Sequence, residues 1–227
     1  MKGTFYAVGV GPGDPELITV KAQRILALCS VVAVPVSGSA RNIASAAAGN
    51  SLNGKKILHY DFPMTNDVQT LMKSHEDTAD AIAELLDEGM DTAFITIGDP
   101  SIYSTAMYIY DILAARGYKV QMIPGVPSFC GAAASLGIPL CLGDEQVCII
   151  PASCGDETER ESYVTKIFMK PGKSASENKD GFLKTGAMIV ADATMETEKI
   201  YRNGDENTVN PGYLSIMIMK EKRRMME

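Results

Sequence analysis

Residues 94–105 restrict the fold of this chain more than any other segment. They read FITIGDPSIYST, in which an apolar, β-branched run stops at Gly98, Asp99 and Pro100. A run of this kind is typical of a buried parallel strand that ends at the carboxyl edge of a sheet. Because proline is favoured at the start of a helix, we predict that a helix begins at Ser101.

The end of this predicted strand is the leading candidate site. Open α/β sheets bind small molecules at the carboxyl edge of their strands. Gly98 would allow a ligand to approach the backbone closely, and Asp99 places a carboxylate beside it. The alternative is an ordinary strand-to-helix turn that Asp99 caps. Hydroxyl groups in the predicted first turn of the helix belong to Ser101, Tyr103, Ser104 and Thr105.

Strand and helix patterns alternate through the first 123 residues. Short apolar runs are followed by segments in which apolar residues recur every three or four positions. This order predicts an α/β fold with a mostly parallel, doubly wound sheet. The predicted strands cover residues 4–10, 30–34, 57–62, 94–97 and 118–123, and the predicted helices cover residues 16–28, 40–48, 67–87 and 101–116.

A second α/β domain is predicted after this sheet. Two prolines and a glycine in residues 124–127 cannot continue a helix or a central strand, so the predicted domains are residues 1–123 and 124–227. A small-residue helix is predicted first, at residues 128–136. The remaining elements are strands at 148–151, 165–169, 186–192 and 214–219, with short helices at 156–161 and 178–183.

Composition and charge argue against several classes of partner. The net charge is −7, which disfavours a nucleic-acid surface. No apolar run approaches the roughly 18 residues of a membrane-spanning helix, and the first residues do not form a signal peptide. We therefore expect a cytoplasmic protein that binds neither nucleic acid nor membrane.

Cysteine and histidine usage points to reduced thiols and to no protein-bound metal. The chain has 5 cysteines, an odd number, without a CxxC pair. Its 2 histidines, His59 and His75, are not at metal-ligand spacing from each other or from a cysteine. Neither residue type therefore supplies a recognisable metal site.

The glycine-rich stretch after the first strand raises the possibility of a dinucleotide site. Gly9 and Gly11 form a GxG pair, but Asp14 stands where the fingerprint needs a third glycine, and Pro15 follows it. A carboxylate there would meet the pyrophosphate of the cofactor. The sequence also lacks an acidic residue after the next strand and a GK[ST] phosphate loop. We therefore disfavour a phosphate-bound nucleotide.

Four blocks of sequence together resemble a known family. They are GVGPGDPELITVKA at 9–22, DFPMT at 61–65, FITIGDPSIYST at 94–105 and PGVPSFCGAAASLGIPLCLGDE at 124–145. The chain resembles the tetrapyrrole methyltransferases of the cobalamin pathway. DFPMT, the YST after GDP and the GIPLxxGDE segment point to the carbon-20 branch, which acts on precorrin-2 or cobalt-precorrin-2. The similarity covers about residues 4–152 well and then returns in short pieces.

This resemblance implies a fold, a cofactor and a set of contacts. It implies two α/β domains with S-adenosylmethionine folded into the cleft between them, and a homodimer. Pro12 belongs to a loop that lines the substrate side. The positions that match cofactor contacts are Pro12, Gly98, Asp99, Ile102, Ser104, Thr105, Ser128, Phe129, Met169, Ala193 and Thr194.

Three departures from the family pattern stand out. Pro127 replaces a residue that is usually threonine, so a hydroxyl group that could bind the cofactor is missing there. Residues 155–187 form a shorter and more polar segment than the family leads us to expect. Thr194 stands where glycine is frequent. The first two departures leave room for a protein that binds the cofactor without turnover.

The chemistry implied by the resemblance needs positioning more than strong acid or base groups. The reduced tetrapyrrole supplies its own electron-rich carbon, so holding the reactants at near-attack distance should give most of the acceleration. A proton must still leave carbon 20. Its candidate acceptors are Asp99, Tyr103, Asp144 and Glu145, and each also has a structural interpretation as a cap or loop hydrogen bond.

The substrate of such an enzyme carries many carboxylates, so an acidic protein must supply local cations. Arg41 is favoured because it stands in a small-residue loop; the alternative is a surface side chain that aids solubility. The candidates are Lys21, Arg24, Arg41, Lys166 and Lys170. Any cobalt would arrive with the substrate, since no protein ligand for it is evident.

Three other functions stay open from the sequence. A family member with another acceptor, such as a uroporphyrinogen or a diphthamide-pathway methyltransferase, would keep the cofactor. An oxidoreductase would need the phosphate loop that Asp14 disrupts. A non-catalytic protein that binds S-adenosylmethionine would keep the fold alone.

Overall fold

The structure is a computed structural model that describes residues 1–36, 43–63, 65, 67–151, 165–170, 186–202, 212 and 214–220. The chain divides into two compact units, Met1–Pro127 and Ser128–Glu227. Arg41 and the helices predicted at 156–161 and 178–183 lie outside the described residues.

The first unit contains a parallel sheet, as the sequence predicts. Every pairing between neighbouring strands in it is parallel. Its strands within the described residues are β1 (Thr4–Gly9), β2 (Val31–Val36), β3 (Lys56–Asp61), β4 (Thr92–Thr96) and β5 (Lys119–Ile123). Their order across the sheet is β3-β2-β4-β1-β5. The doubly wound α/β fold is therefore confirmed.

Helices cover both faces of this sheet. The helices of the described part are α1 (Val20–Leu28), α2 (Ile43–Ala48), α3 (Val68–Asp87) and α4 (Ala106–Ala115), with 3-10 turns at Pro15–Leu17 and Gly49–Leu52. Apolar residues of α1 and α2 pack in one core cluster. Apolar residues of α3 and α4 pack in a second core cluster. A strand buried on both faces is predominantly apolar on both, which explains why the centre of β4 does not alternate between apolar and polar residues.

Two adjacent residues of β4 illustrate this double burial. Phe94 and Ile95 are both fully buried, and they belong to opposite core clusters. Successive side chains of a strand point to opposite faces, so each of these residues anchors one helical layer. Burying a side chain of this size contributes about 1.5–3 kcal/mol.

Two helices begin later than the sequence predicts. The helix after β4 starts at Ala106 rather than at Ser101, because Tyr103 has φ 47° and so cannot continue a right-handed helix. The helix predicted from residue 16 starts at Val20. There Asp14 caps the 3-10 turn instead, and the Thr19 hydroxyl accepts a hydrogen bond from the Ala22 N–H at 3.1 Å as the cap of α1.

The second unit is built around a mixed sheet. Its described elements are α5 (Ser128–Leu136), β6 (Val147–Pro151), β7 (Thr165–Met169), β8 (Met188–Ala191), β9 (Lys199–Tyr201) and β10 (Ser215–Lys220). The order is β6-β7-β10-β8-β9, in which β6 and β7 are parallel and the other pairs are antiparallel. The predicted helix at 128–136 is confirmed. The sequence did not predict β9, because its three residues are too short for a strand pattern.

His75 of α3 carries a pH-dependent share of the stability of the first unit. Its ring stacks on Tyr108 of α4 with centroids 4.6 Å apart, and it lies 5.8 Å from the ring of Phe62. Burial lowers the pKa of His75, because the charged form would lose hydration. The unfolded chain therefore binds this proton more readily, and stability falls as the pH drops below the ordinary histidine value.

We expect the His75→Phe variant to show a weaker pH dependence of stability than the wild type. Phenylalanine keeps the stacked ring but cannot take up a proton. Urea unfolding from about pH 7 to about pH 5 measures the effect on either side of the ordinary histidine pKa. His59→Gln, at an exposed position of β3, is the control and should follow the wild type. If the free energy of unfolding changed with pH equally in His75→Phe and in the wild type, His75 would not be the source of the pH dependence.

Candidate functional site

A crevice is expected where β1 and β4 end side by side. The connection from β1 crosses β4 to reach β2, while the connection from β4 crosses β1 to reach β5. The two connections therefore leave in opposite directions, on opposite faces of the sheet. This is the switch point at which open α/β sheets bind ligands. The predicted site at the end of β4 lies at this point.

The loops after β1 and β4 are joined by backbone hydrogen bonds. Gly98 donates its N–H to the Gly11 carbonyl at 2.7 Å, and Gly11 donates to the Gly98 carbonyl at 3.3 Å. Val10 also donates to the Thr96 carbonyl at 3.0 Å. The sheet is thus extended by an antiparallel bridge beyond the last residues of both strands.

The loop after β5 packs against the same bridge through Gly125. A Cβ atom at Gly125 would lie 2.2 Å from the Gly98 oxygen and 2.8 Å from the Gly9 carbonyl carbon. A Cβ atom at Gly9 would lie 2.6 Å from the Gly98 oxygen. Gly98 itself has φ 73°. These glycines therefore allow the backbones of three loops to approach one another closely.

Asp99 ties two of these loops together. Its Oδ1 atom accepts a hydrogen bond from the Ser101 N–H at 2.8 Å and another from the Ser101 hydroxyl. Its Oδ2 atom accepts from the Gly125 N–H at 2.9 Å. The carboxylate therefore holds the turn after β4 and fixes the loop after β5 against it. The sequence indicates a capping role for Asp99. It does not predict the hydrogen bond from Gly125, which is 26 residues away.

The remaining residues after β4 form a tight turn before α4. Ile102 donates its N–H to the Asp99 carbonyl at 3.2 Å. The Ser104 hydroxyl donates to Thr96 Oγ1 at 3.0 Å and accepts from the Ala106 N–H at 3.2 Å. Thr105 is the residue that precedes α4. Tyr103 is 45% exposed, so its ring stands at the surface of this turn.

Two more predicted residues of the first unit lie after β1. Pro12 is buried and directly follows the bridge residue Gly11. Lys21 is exposed in the first turn of α1. The structure therefore brings Pro12 together with the turn after β4, and it leaves Lys21 on the helix that follows.

Predicted contacts in the second unit meet at one edge of its sheet. Met169 at the end of β7 and Val190 in β8 both pair with Ile216 of β10. The ends of β7 and β8 therefore lie two strand spacings apart, or about 10 Å. Ala193 and Thr194 follow β8, and Lys170 follows β7, where it is exposed.

Backbone strain is concentrated in the loops that carry these predicted contacts. Among the residues that the structure describes, four residues other than glycine have positive φ: Tyr103 at 47°, Lys170 at 55°, Asp192 at 50° and Thr194 at 68°. Each follows the carboxyl end of a strand. Strained backbone of this kind clusters at ligand-binding sites. No pattern in the sequence predicts it, although glycine would be the favoured residue at each position.

Ser128 and Phe129 open α5. The first N–H groups of a helix have no partner within the helix, so these two residues present backbone donors. Both are half-buried. They follow Pro127, the position at which the family pattern leads us to expect threonine.

Glu145 lies away from the predicted contacts of the second unit. Its Oε2 atom accepts from the Lys220 ammonium at 3.2 Å and from the Leu142 N–H at 2.9 Å. Lys220 pairs with Thr165 at the start of β7, whereas Met169 ends that strand. Glu145 is therefore at the opposite edge of the sheet.

Lys166, another candidate cation, is buried at 7% exposure.

Two negative findings apply to the described residues. No group of three or more histidine, cysteine, aspartate or glutamate side chains among them could hold a metal ion. In the same part of the chain, no helix has the length and apolar character needed to cross a membrane.

Comparison with known proteins identifies the family. The family profile described as Tetrapyrrole (Corrin/Porphyrin) Methylases matches residues 4–205. This range contains the glycine bridge, Asp99 and the strained loops of both units. The chain belongs to the tetrapyrrole methylases.

Within this family, the chain is similar to carbon-20 enzymes. It is 36% identical over 229 residues to the probable cobalt-precorrin-2 C(20)-methyltransferase of Methanocaldococcus jannaschii, covering 96% of each chain. It is 26% identical over 243 residues to the precorrin-2 C(20)-methyltransferase of Sinorhizobium sp, covering 96% of this chain and 95% of that one.

A solved structure supports the same fold. The uroporphyrin-III C-methyl transferase of Thermus thermophilus, complexed with S-adenyl homocysteine, superposes with a TM-score of 0.68 at 21% identity. The match covers 96% of this chain and 98% of that one. At this identity the similarity shows the fold alone, which is the tetrapyrrole-methylase fold expected from the sequence.

Proposed function

We propose that this chain transfers a methyl group from S-adenosylmethionine to carbon 20 of precorrin-2 or cobalt-precorrin-2 in cobalamin biosynthesis. The observation that carries the proposal is the 36% identity to a probable cobalt-precorrin-2 C(20)-methyltransferase over 96% of both chains. Similarity restricted to the common glycine loops would support only the family. Similarity along the whole length also supports the choice of acceptor.

The chemistry of the candidate site fits S-adenosylmethionine. The turn after β4 offers the hydroxyl of Ser104 and the apolar side chain of Ile102, and β7 ends in the apolar Met169. The first N–H groups of α5, at Ser128 and Phe129, are backbone donors that can bind the polar ends of such a molecule. The proposed contacts are Pro12, Gly98, Asp99, Ile102, Ser104, Thr105, Ser128, Phe129, Met169, Ala193 and Thr194.

The proposed role of these residues is to hold the donor and exclude water. When bound, S-adenosylmethionine supplies a methyl carbon that its sulfonium makes electrophilic. The protein gains rate by orienting two reactants at near-attack distance, and rigid loops do this better than mobile ones. The glycine bridge and the Asp99 carboxylate make the turn after β4 rigid. Binding of the cofactor between the two units stays a prediction.

Asp99, Tyr103 and Glu145 stay the predicted acceptors of the carbon-20 proton. Tyr103 is the exposed member of the set, at the turn after β4. The Asp99 carboxylate is engaged by Ser101 and Gly125, and that of Glu145 by Lys220 and Leu142. The hydrogen bonds from Ser101 and Gly125 support a positioning role for Asp99.

The proposed contacts to the substrate are cations. Lys21 and Lys170 are both exposed, and together with Arg41 they are the proposed partners of the acidic side chains of a tetrapyrrole. Cobalt, if present, belongs to the substrate. A cytoplasmic location and a homodimer complete the proposal, the first from composition and the second from the family resemblance.

Turnover of purified protein tests this function. The protein is incubated with S-adenosylmethionine that carries an isotope-labelled methyl group, and with precorrin-2, cobalt-precorrin-2 or uroporphyrinogen III. We expect the mass of a precorrin-2 product to rise by one labelled methyl group. Methylation of uroporphyrinogen III alone would contradict the choice of acceptor. Binding of S-adenosylhomocysteine without turnover of any acceptor would indicate a non-catalytic protein.

A further inference from the structure

We propose that Glu198 is a positioning residue that holds the loop after β8 in the shape that S-adenosylmethionine needs. The inference rests on the proposed function. The Oε2 atom of Glu198 accepts two short hydrogen bonds, from the Thr194 N–H at 2.6 Å and from the Ser135 hydroxyl at 2.6 Å. The side chain is half-buried. One carboxylate oxygen thus joins the loop to α5.

The loop that Glu198 holds has an unfavourable backbone conformation. Asp192 and Thr194 both have positive φ, and a β-branched residue such as Thr194 adopts this region at a cost. Other hydrogen bonds support the loop: the Asp192 N–H donates to the Leu214 carbonyl, and the Thr197 hydroxyl donates to Asp192 Oδ2, both at 3.0 Å. The Thr194 N–H, however, is fixed by Glu198.

The other end of this connection lies on the helix that carries two predicted contacts. Ser135 is seven residues after Ser128, so the two serines lie on the same face of α5 and about 10 Å apart along its axis. The Glu198 carboxylate therefore sets the position of Thr194 relative to the face of α5 that begins with Ser128. Two of the segments that the family resemblance assigns to the cofactor are connected through this single oxygen atom.

Removal of the Glu198 carboxylate should lower the affinity for the cofactor while the second unit stays folded. Hydrogen bonds to a charged group are among the stronger ones in proteins, so without them the strained loop relaxes towards ordinary backbone angles. Thr194 would then present its backbone groups in other directions. Glutamine can still accept both hydrogen bonds through its single oxygen, so Glu198→Gln should keep most of the geometry.

Calorimetric titration with S-adenosylhomocysteine tests the inference. For Glu198→Ala we expect the Kd to rise about tenfold, which corresponds to the loss of one charge-assisted hydrogen bond. Glu198→Gln should bind within about threefold of the wild type. Ser135→Ala, which removes the hydrogen bond to α5, should give a Kd between those of the wild type and Glu198→Ala. Glu196→Gln, at an exposed position in the same loop, is the matched control and should bind with the Kd of the wild type.

The titration separates positioning from stability. Irreversibly unfolded protein lowers the number of binding sites per chain and leaves the Kd unchanged, whereas reversible unfolding raises the apparent Kd by the reciprocal of the folded fraction. That fraction is measured by urea unfolding at the titration temperature, and a rise in Kd beyond this factor reports misplacement of Thr194. An unchanged Kd in Glu198→Ala would overturn the inference. If that variant does not fold, an unchanged Kd in Ser135→Ala would overturn it instead. Failure of the wild type to bind S-adenosylhomocysteine would count against the proposed function itself.

Discussion

Replacing Gly125 with alanine is expected to destabilise the first unit strongly, although the change adds a single methyl group. The new Cβ atom would lie 2.2 Å from the Gly98 oxygen and 2.9 Å from the Gly9 Cα. Both neighbours are backbone atoms that already hydrogen-bond or pair in the sheet, so neither can move without breaking the bridge between the loops. Overpacking of this severity costs about 3 kcal/mol.

Thermal unfolding measures this effect. A loss of about 3 kcal/mol corresponds to a decrease of roughly 10 °C in the melting temperature of a domain of this size. Gly212→Ala is the control, since no heavy atom lies within 4 Å of its Cβ position and its φ is not positive. Equal melting temperatures for the two variants would show that the three loops are not packed as described.

Replacing Asp99 with asparagine is expected to reduce catalysis strongly while keeping the shape of the side chain. Both carboxylate oxygens of Asp99 accept hydrogen bonds from N–H groups, of Ser101 and of Gly125. An amide can accept at one of these positions only, and it places its own N–H₂ against a donor at the other. The loss is about 2 kcal/mol, or roughly thirtyfold in kcat/KM if the turn is rigid in the transition state.

Kinetics with both substrates tests this prediction. The KM for S-adenosylmethionine should rise in Asp99→Asn, because the turn after β4 would no longer be fixed to Gly125. Asp111→Asn changes an exposed residue of α4 and serves as the charge-matched control. Wild-type kinetics in Asp99→Asn would mean that this carboxylate neither orders the turn nor takes up the proton.

The sheet of the first unit could be predicted from the sequence because burial on two faces leaves a strong signal. Phe94 and Ile95 belong to opposite core clusters, so the strand that carries them cannot alternate between apolar and polar residues. The order of strands and helices then follows from general rules for parallel sheets. The boundaries of α3 were also recognisable, since Asp67 caps its start and Gly89 follows its end.

The start of α4 could not be predicted, because it depends on a left-handed residue. Proline after Asp99 indicates a helix, yet Tyr103 adopts φ 47° and delays the helix until Ala106. Tyrosine carries no sequence signal for that conformation. The strand β9 was missed for a related reason, since its pairing with β8 depends on tertiary contacts rather than on its own three residues.

Long-range polar contacts in the candidate site were invisible in the sequence. The family resemblance identified Asp99 and Thr194, but it gave no partner for either residue. Asp99 accepts from Gly125 and Thr194 donates to Glu198, and both partners are fixed by the folding of separate loops. A hydrogen bond between such loops has no characteristic spacing, so only the structure can identify it.

A crystal structure of the protein with bound S-adenosylhomocysteine tests the central claim most directly. We predict that the ligand lies against the turn at residues 98–104, and that the hydrogen bond from Gly125 to Asp99 is intact. A ligand bound elsewhere, with that turn untouched, would contradict the claim.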